Sequence, residues 1–524
     1  MPKQTPQSRY TDADIDKILP GNQQLADQNS QLQAQLTWFK RQIFGNKSEQ
    51  LQYLDNPDQA ELQLGSKPDI EAPVIEQEIK SYKRRQKKSK SGTPDDSGIQ
   101  FDENEVDVLV IEIPCPELDG EQADDYEVIG TTVDYRLAQR RSAYVMLKYV
   151  RKVVKHRHSQ QIKTAAAAAG IFERNQWDVS FIVGLLIEKF LYHQPLYRQH
   201  QRLCRSGIEV SRATLTNITH RAIPLLEPIV DALLANVLRS HTLAMDETPI
   251  KAGHKTKGKL HQGCYLPLYG DQDEMVFNYS PSKSRKAIEG ILASFTGSVL
   301  LTDGNIAYEL YTKTMADVVL AQCWSHCRRY FERAYEAEPV VARAALDMIA
   351  RLYKQDGRIQ ESWPAARQIE HRASHCQPIT HAFFEWCNEQ HQRVDLLPKN
   401  PFRRALKYAC DRQQALQEFL TDPTIALDTN HLERGLRVIP MGRRNWLFCW
   451  TEPGAKYVGL IQSLIVTCRL HGVDPAVYLT DVLQRVKTHP DDKMIELTPR
   501  VWKTKFADNP LISDLEGAGK NGVI

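Results

Sequence analysis

Apolar positions change their period several times along the chain. Leu25, Leu32 and Phe39 recur every seven residues, and Leu36 and Ile43 fall four residues after two of them. That is the a/d spacing of a short coiled coil. Asn22 and Asn29 occupy the earlier positions of the Leu36 and Ile43 series, where a buried amide costs stability but fixes register. Residues 21–55 therefore read as a helix that either self-associates or packs on its own chain, and 56–100 as a linker. Val106 to Ile113 alternates and is β-branched, which predicts a strand, and Tyr126 to Tyr135 and Ala143 to Val154 predict further strands. The run Ala165–Ala169 predicts a return to helix. Trp177 to Leu191 predicts a buried helix, because Phe181, Ile182, Leu185, Leu186 and Phe190 follow a 3.6-residue period with Lys189 as the polar intrusion.

Leu196 to Leu203, then Gly207, then Ser211 to Ile223 describe two helices about a glycine turn, with Ser211 placed to cap the second. A helix-turn-helix reads this way, and so does any αα corner. His241 to Asp246 is a short apolar strand that ends on a carboxylate. Tyr265 to Tyr269 and Met275 to Tyr279 predict a hairpin. Val299 to Thr302, followed by Asp303-Gly304, repeats the strand-then-acid device, and residues 317–421 read as mostly helical.

A chain of 524 residues, 42% apolar and 25% charged, is long enough for several globular domains. The 67 Lys and Arg nearly balance the 65 Asp and Glu, which excludes a uniformly basic chain. The charge is segregated instead. Lys80 to Lys90 carries seven Lys or Arg, residues 91–127 carry thirteen acids and no Lys or Arg, and Arg136 to Lys163 carries nine Lys or Arg and no acid. Arg151, Lys152 and Lys155 in that last stretch are candidates for phosphate contact. The alternative is a basic stretch paired with the acidic one before it. Ten cysteines in such a length make no disulfide scaffold, and none is spaced Cys-x-x-Cys. Without a secretory leader or an apolar run of membrane length, the expectation is a cytoplasmic protein with no membrane partner.

Asp246 and Asp303, each at a strand end, suit a divalent cation and phosphate chemistry, which asks for a third acid. Magnesium prefers such oxygen donors. Glu433 follows the cap-like Asp428-Thr429-Asn430; its bland reading is an i,i+4 ion pair with Arg437. Arg443 and Arg444 suit bidentate phosphate binding, and Trp446 suits either stacking on an unpaired base or core packing.

At these residues the chain resembles the transposases of the insertion-sequence 66 family, DDE-type enzymes of bacterial mobile elements. The resemblance runs in order through Phe44-Gly45-Asn46-Lys47-Ser48-Glu49, Pro195-Leu196-Tyr197-Arg198, Gly207 to Ser211, Asp246-Glu247-Thr248-Pro249 and Thr302-Asp303-Gly304. It continues through Cys323-Trp324-Ser325-His326-Cys327-Arg328-Arg329, Asn430-His431-Leu432-Glu433-Arg434, Gly442 to Phe448 and Asp474-Pro475 to Leu483.

The resemblance implies an α/β multidomain chain. A coiled coil, a degenerate zinc-finger-like β module (101–165) and a helical DNA-binding region (170–235) would precede a ribonuclease-H-like core (236–460) with a helical insertion at about 317–421, and a C-terminal helical segment (461–510) would follow. It implies Asp246, Asp303 and Glu433 as the catalytic, metal-holding triad, with Mg2+ as cofactor and Mn2+ as its substitute. Its partners would be double-stranded DNA, as element ends and as target, further copies of the chain, and small accessory proteins of the element. The protein would then associate with the nucleoid when bound. Cys323 and His326 take a structural or DNA-contacting role near the site. Leu118 stands three residues after Cys115 where a second cysteine belongs, so zinc is not expected. Asn305 replaces a common Tyr, and Thr429 a common Asn. The activity implied is cleavage at the element ends and strand transfer; the rival is a decayed, DNA-binding regulator that keeps the fold.

Overall fold

The long alternating segments near residue 100 pair into a sheet, as their β-branched content requires. The structure is a computed structural model that describes residues 100–520, apart from 102–105, 120–122, 140–142, 174–175, 257–258, 316 and 450. The expected coiled coil and the basic linker lie outside the described residues. Strand β1 (Gln100–Phe101) pairs with a distant short strand, and β2 (Asp107–Ile113), β3 (Tyr126–Gln139), β4 (Tyr144–His156) and β5 (Ile162–Thr164) form a separate sheet. In it β4 runs parallel to β2 and antiparallel to β3 and β5. Both faces of β4 are covered. Met146 belongs to the main core, whereas Val145, Leu147 and Tyr149 pack with Leu515 from the C-terminal end.

Ala165–Ala169 does not resume a helix. Arg151 donates to the Ala165 carbonyl at 2.9 Å, and Arg136 donates to the carbonyls of Ala168 and Ala169. Tertiary hydrogen bonds thus claim the acceptors that helix formation would use, and alanine's propensity is overridden.

The helix Val179–Phe190 is capped by Asp178, which accepts from the Ser180 amide at 2.9 Å. Lys189 is held there beside the Phe190 ring, and burial lowers its pKa. The helices Leu196–Arg205 and Arg212–Ala222 turn through Gly207 at φ +75° and β6 (Ile208–Glu209), which pairs with β1; Ser211 caps the second helix through the Thr214 amide at 3.1 Å.

The second large sheet holds β7 (Thr242–Met245), β8 (Thr248–Thr256), β9 (Lys259–Gly270), β10 (Glu274–Ser280), β11 (Val299–Thr302) and β12 (Val319–Gln322). Its order is β10-β9-β7-β11-β12, with β8 paired to β9. Strands β7, β11 and β12 are parallel; β9 is antiparallel to β7, and β10 to β9. Two of these strands depart from the sequence expectation. Residues 319–322, inside the stretch expected to be helical, form β12, and the helices begin only at Trp324. Strand β8 was not expected, because Pro249 and its polar residues hide the alternation.

The helix Glu452–Leu470 lies along β10. Ala455, Gly459, Ser463 and Thr467, four residues apart, bring it close: a Cβ on Gly459 would stand 2.5 Å from the Phe277 carbonyl oxygen. Ser463 Oγ accepts from the Phe277 amide at 2.9 Å, and Thr467 Oγ1 from the Met275 amide at 3.1 Å. Hydroxyls therefore answer amides of β10 on the side away from β9.

Beyond β12 the helices Trp324–Ala334, Pro339–Asp356, Ala365–His371, Gln377–His391 and Pro401–Asp411 pack around Trp324, Phe331, Phe383, Phe384 and Phe402. Between Ala365–His371 and Gln377–His391 lies a π-helical turn, Arg372–Cys376. Buried Arg372 donates from it to the carbonyls of Phe419, Asp422 and Ile425 at 2.6, 3.0 and 3.1 Å, and pairs with Asp356 at 2.9 Å. Among the described residues, no helix is long and apolar enough to cross a membrane.

Candidate metal centre

Three parallel strands leave the sheet side by side, since Ala244 pairs with Leu301 and Thr302 with Gln322. Asp246 follows β7 directly, Asp303 follows β11 directly, and the helix Trp324–Ala334 starts after one residue beyond β12. Ligand sites in such sheets form outside the carboxyl ends of parallel strands. The helix Asn430–Leu436 then carries Glu433 to the same place.

Asp246 Oδ1 accepts the Glu247 amide at 2.6 Å. Burial pushes the Asp246 carboxyl up to about 7 against that hydrogen bond, and the charges of Asp303, Glu433 and Glu247 add to the rise. Asn305 joins the two acidic loops. Its amide donates to Asp303 Oδ1 at 3.0 Å, its side-chain NH2 donates to Glu247 Oε2 at 3.1 Å, and its Oδ1 accepts from the Ala307 amide at 3.0 Å, which caps the next helix. Lys283 meets Glu247 at 2.5 Å. Asn305 thus acts as a loop-fixing side chain here.

The Glu433 carboxylate lies 3.3 Å from Arg329 Nη2 through both oxygens, and 3.8 Å from His326 Nε2. Among the described residues its ion pairs are these, and the expected bland partner, Arg437, is not one of them. Burial, with Arg329 alongside, lowers the His326 pKa. Asp246, His326 and Glu433 each offer a donor atom, all within 4.8 Å of one another. Two carboxylates and an imidazole are a donor set that fits a divalent cation. Asp303 stands outside that trio, although its charge reaches both Asp246 and His326.

Cys323 is fully buried and outside the trio. Burial pushes its thiol up to about 11, and its sulfur accepts from both the amide and the hydroxyl of Thr429 at 3.3 Å. The helices beyond β12 also grip the second acidic loop. Arg412 donates to the Gly304 carbonyl at 2.9 Å and pairs with Glu309 at 2.9 Å. A Cβ on Gly304 would stand 2.4 Å from the Tyr408 ring. Neither Arg412 nor Arg372 was singled out from sequence, where nothing marks a cation whose partner lies tens of residues away; Arg329 stood out only as part of the Cys323 to Arg329 motif.

The candidate DNA-contacting residues are placed differently from one another. Arg151 pairs with Asp134 within its own sheet, Lys152 is exposed and Lys155 half-buried. Arg443 donates to the Pro249 carbonyl, and burial lowers its pKa; Arg444 is exposed. The Trp446 indole folds back over Gly442, where a Cβ would stand 2.6 Å from its Nε1, and packs against the core.

A family model described as "Transposase IS66 family" matches residues 174–457. Two more, "IS66 C-terminal element" and "Transposase C of IS166 homeodomain", match 463–500 and 31–96. The chain is 26% identical over 520 residues to "Uncharacterized protein y4hP" of Sinorhizobium fredii (strain NBRC 101917 / NGR234), covering 92% of this chain and 90% of that one. It is 29% identical to "Uncharacterized protein y4qI" of the same strain, covering 62% of each.

Proposed function

The chain belongs to the IS66 transposase family, and from that membership we propose that it cleaves the DNA ends of its mobile element and transfers them to a target, in a DDE-type reaction on a ribonuclease-H-like core. The observation that carries this reading is the meeting of Asp246 and Glu433 beside Asp303 at the carboxyl ends of adjacent parallel strands. The strand order β10-β9-β7-β11-β12, with the last three parallel, supports the core assignment.

Asp246, Asp303 and Glu433 would hold Mg2+, with Mn2+ as its substitute. Such a cation supplies Lewis-acid polarisation of a phosphoryl oxygen and neutralises developing charge. The chain's own residues do the rest. Asn305 and Lys283 hold Glu247 and the Asp303 loop in place. Arg329, half-exposed beside Glu433, is placed to meet phosphate oxygens. In the first step water attacks phosphorus, the bond to the 3′-oxygen breaks, and the proton passes to the leaving oxygen or solvent. In the second, the freed 3′-hydroxyl attacks a target phosphodiester and displaces another 3′-oxygen.

Exposed Lys152 and Arg444, with Lys155, are the proposed phosphate contacts along double-stranded DNA. The test is cleavage of end-containing DNA with and without Mg2+. Asp246→Asn, Asp303→Asn and Glu433→Gln are each expected to stay folded, bind ends and lose cleavage by orders of magnitude. Metal-independent cleavage, or full activity in all three variants, overturns the reading.

A further inference from the structure

We infer that His326 is a metal ligand, so that one cation is held by a mixed set of Asp246 and Glu433 oxygens and the His326 imidazole nitrogen. The inference rests on the proposed metal site and adds a donor to it.

The fold delivers His326 deliberately. Cys323 ends the strand segment and opens the helix Trp324–Ala334, and His326 lies on its first turn. The Cys323 amide donates to the Thr302 carbonyl at 3.1 Å, immediately before Asp303, and the Trp324 amide donates to the Leu427 carbonyl at 3.1 Å, shortly before the Glu433 helix. The imidazole is thereby tied to the two segments that bear acids. Its side chain is 16% exposed, and Nδ1 is buried without a hydrogen-bond partner among the described residues.

Nε2 stands 3.8 Å from Glu433 Oε1, too far for a hydrogen bond. It suits two donors on one ion. With ligand bonds of about 2.1 Å, two donors lie roughly 3.0 Å apart at a right angle and roughly 4.2 Å apart when opposite. The trio's donor atoms, all within 4.8 Å of one another, stand in or close to that range. A half-buried histidine that served packing alone would not need a ring nitrogen near two carboxylates.

Nitrogen in the donor set has a consequence for the choice of ion. Imidazole favours later first-row ions over Mg2+, while carboxylates serve Mg2+ and Mn2+ alike. The site should therefore prefer Mn2+ to Mg2+, and His326→Gln should narrow that preference.

The experiment uses the full chain with stoichiometric Mn2+ and pulsed electron paramagnetic resonance. The expected result is electron-spin-echo modulation from one directly bound imidazole 14N. Growing the unmutated protein on 15N-histidine should replace that pattern with the 15N one, which needs no variant to fold. His326→Gln should lose the signal and bind Mn2+ about tenfold more weakly, with an unchanged thermal midpoint in EDTA. Asp246→Asn should lose the ion. Mn2+ bound in an Asp246-dependent way without a nitrogen signal, or a signal that persists in His326→Gln, overturns the inference and leaves the carboxylate site standing. Absence of any Asp246-dependent Mn2+ binding overturns the metal site itself, and the inference with it.

Discussion

Thr429 donates both its amide and its hydroxyl to the sulfur of Cys323, each at 3.3 Å, and so fastens the start of the Glu433 helix to the start of the His326 helix. A buried donor that loses its acceptor costs about 1–3 kcal/mol, less for a weak sulfur bond. Cys323→Ala should lower the thermal midpoint modestly and lower end cleavage more than that loss explains, because Glu433 loses its anchorage. Cys323→Ser, which keeps an acceptor, should recover most of the cleavage. Thermal melts and cleavage rates on the same preparations decide; an Ala variant that is less stable yet fully active would show that the link does not position Glu433.

Arg372 gathers three carbonyls from the segment between Phe419 and Ile425 while pairing with Asp356. Arg372→Met should cost about 3–5 kcal/mol, since it strands a half-buried carboxylate and three acceptors. The double variant Arg372→Met/Asp356→Leu should recover part of the loss. Urea unfolding of parent, single and double variants measures this, and a loss below about 1 kcal/mol in the single variant would contradict it.

Asp246 gives stability a definite pH dependence in EDTA. Its folded-state pKa, about 7, lies above the ordinary carboxyl value of 3.8, so between those values the folded protein holds the extra proton. Its contribution is therefore fully present below about pH 4 and is lost as pH rises through about 7. Asp246→Asn should remove this fall and be the more stable of the two at pH 8. Denaturant midpoints across pH 4 to 8 supply the comparison; parallel curves for parent and variant would mean that the carboxyl is not so perturbed.

Neutralising Lys152, Lys155 and Arg444 together should reduce the salt dependence of end binding by up to about three units of slope, roughly one per phosphate contact. Arg151→Gln should instead act on stability, because its guanidinium pairs with Asp134 and the Ala165 carbonyl. Binding isotherms at several salt concentrations test both. A slope unchanged by the triple variant places the DNA elsewhere.

The alternating strands and the two acids that follow β7 and β11 were legible because a short apolar run with an acid at its end writes its own signature. Strand β12 was not: four residues are too few to show a period, and its parallel partner lies in a different stretch. Ala165–Ala169 read as helix because propensity is local, whereas the arginines that take its carbonyls come from β3 and β4. For Glu433, spacing offers Arg437 as the bland partner, and only the tertiary structure brings Arg329 across 104 residues. The resemblance supplied what spacing alone left open, the choice of Glu433 among the many acids of the helical region.

The hydroxyls of Ser463 and Thr467 stand where a neighbouring strand would stand against β10. A chain cut short before residue 452 would keep the hairpin but lose this cover, leaving outward-facing amides of β10 open to any extended segment, including the same strand of another truncated copy. Such a truncated chain would thus tend to pair strand to strand with its own kind.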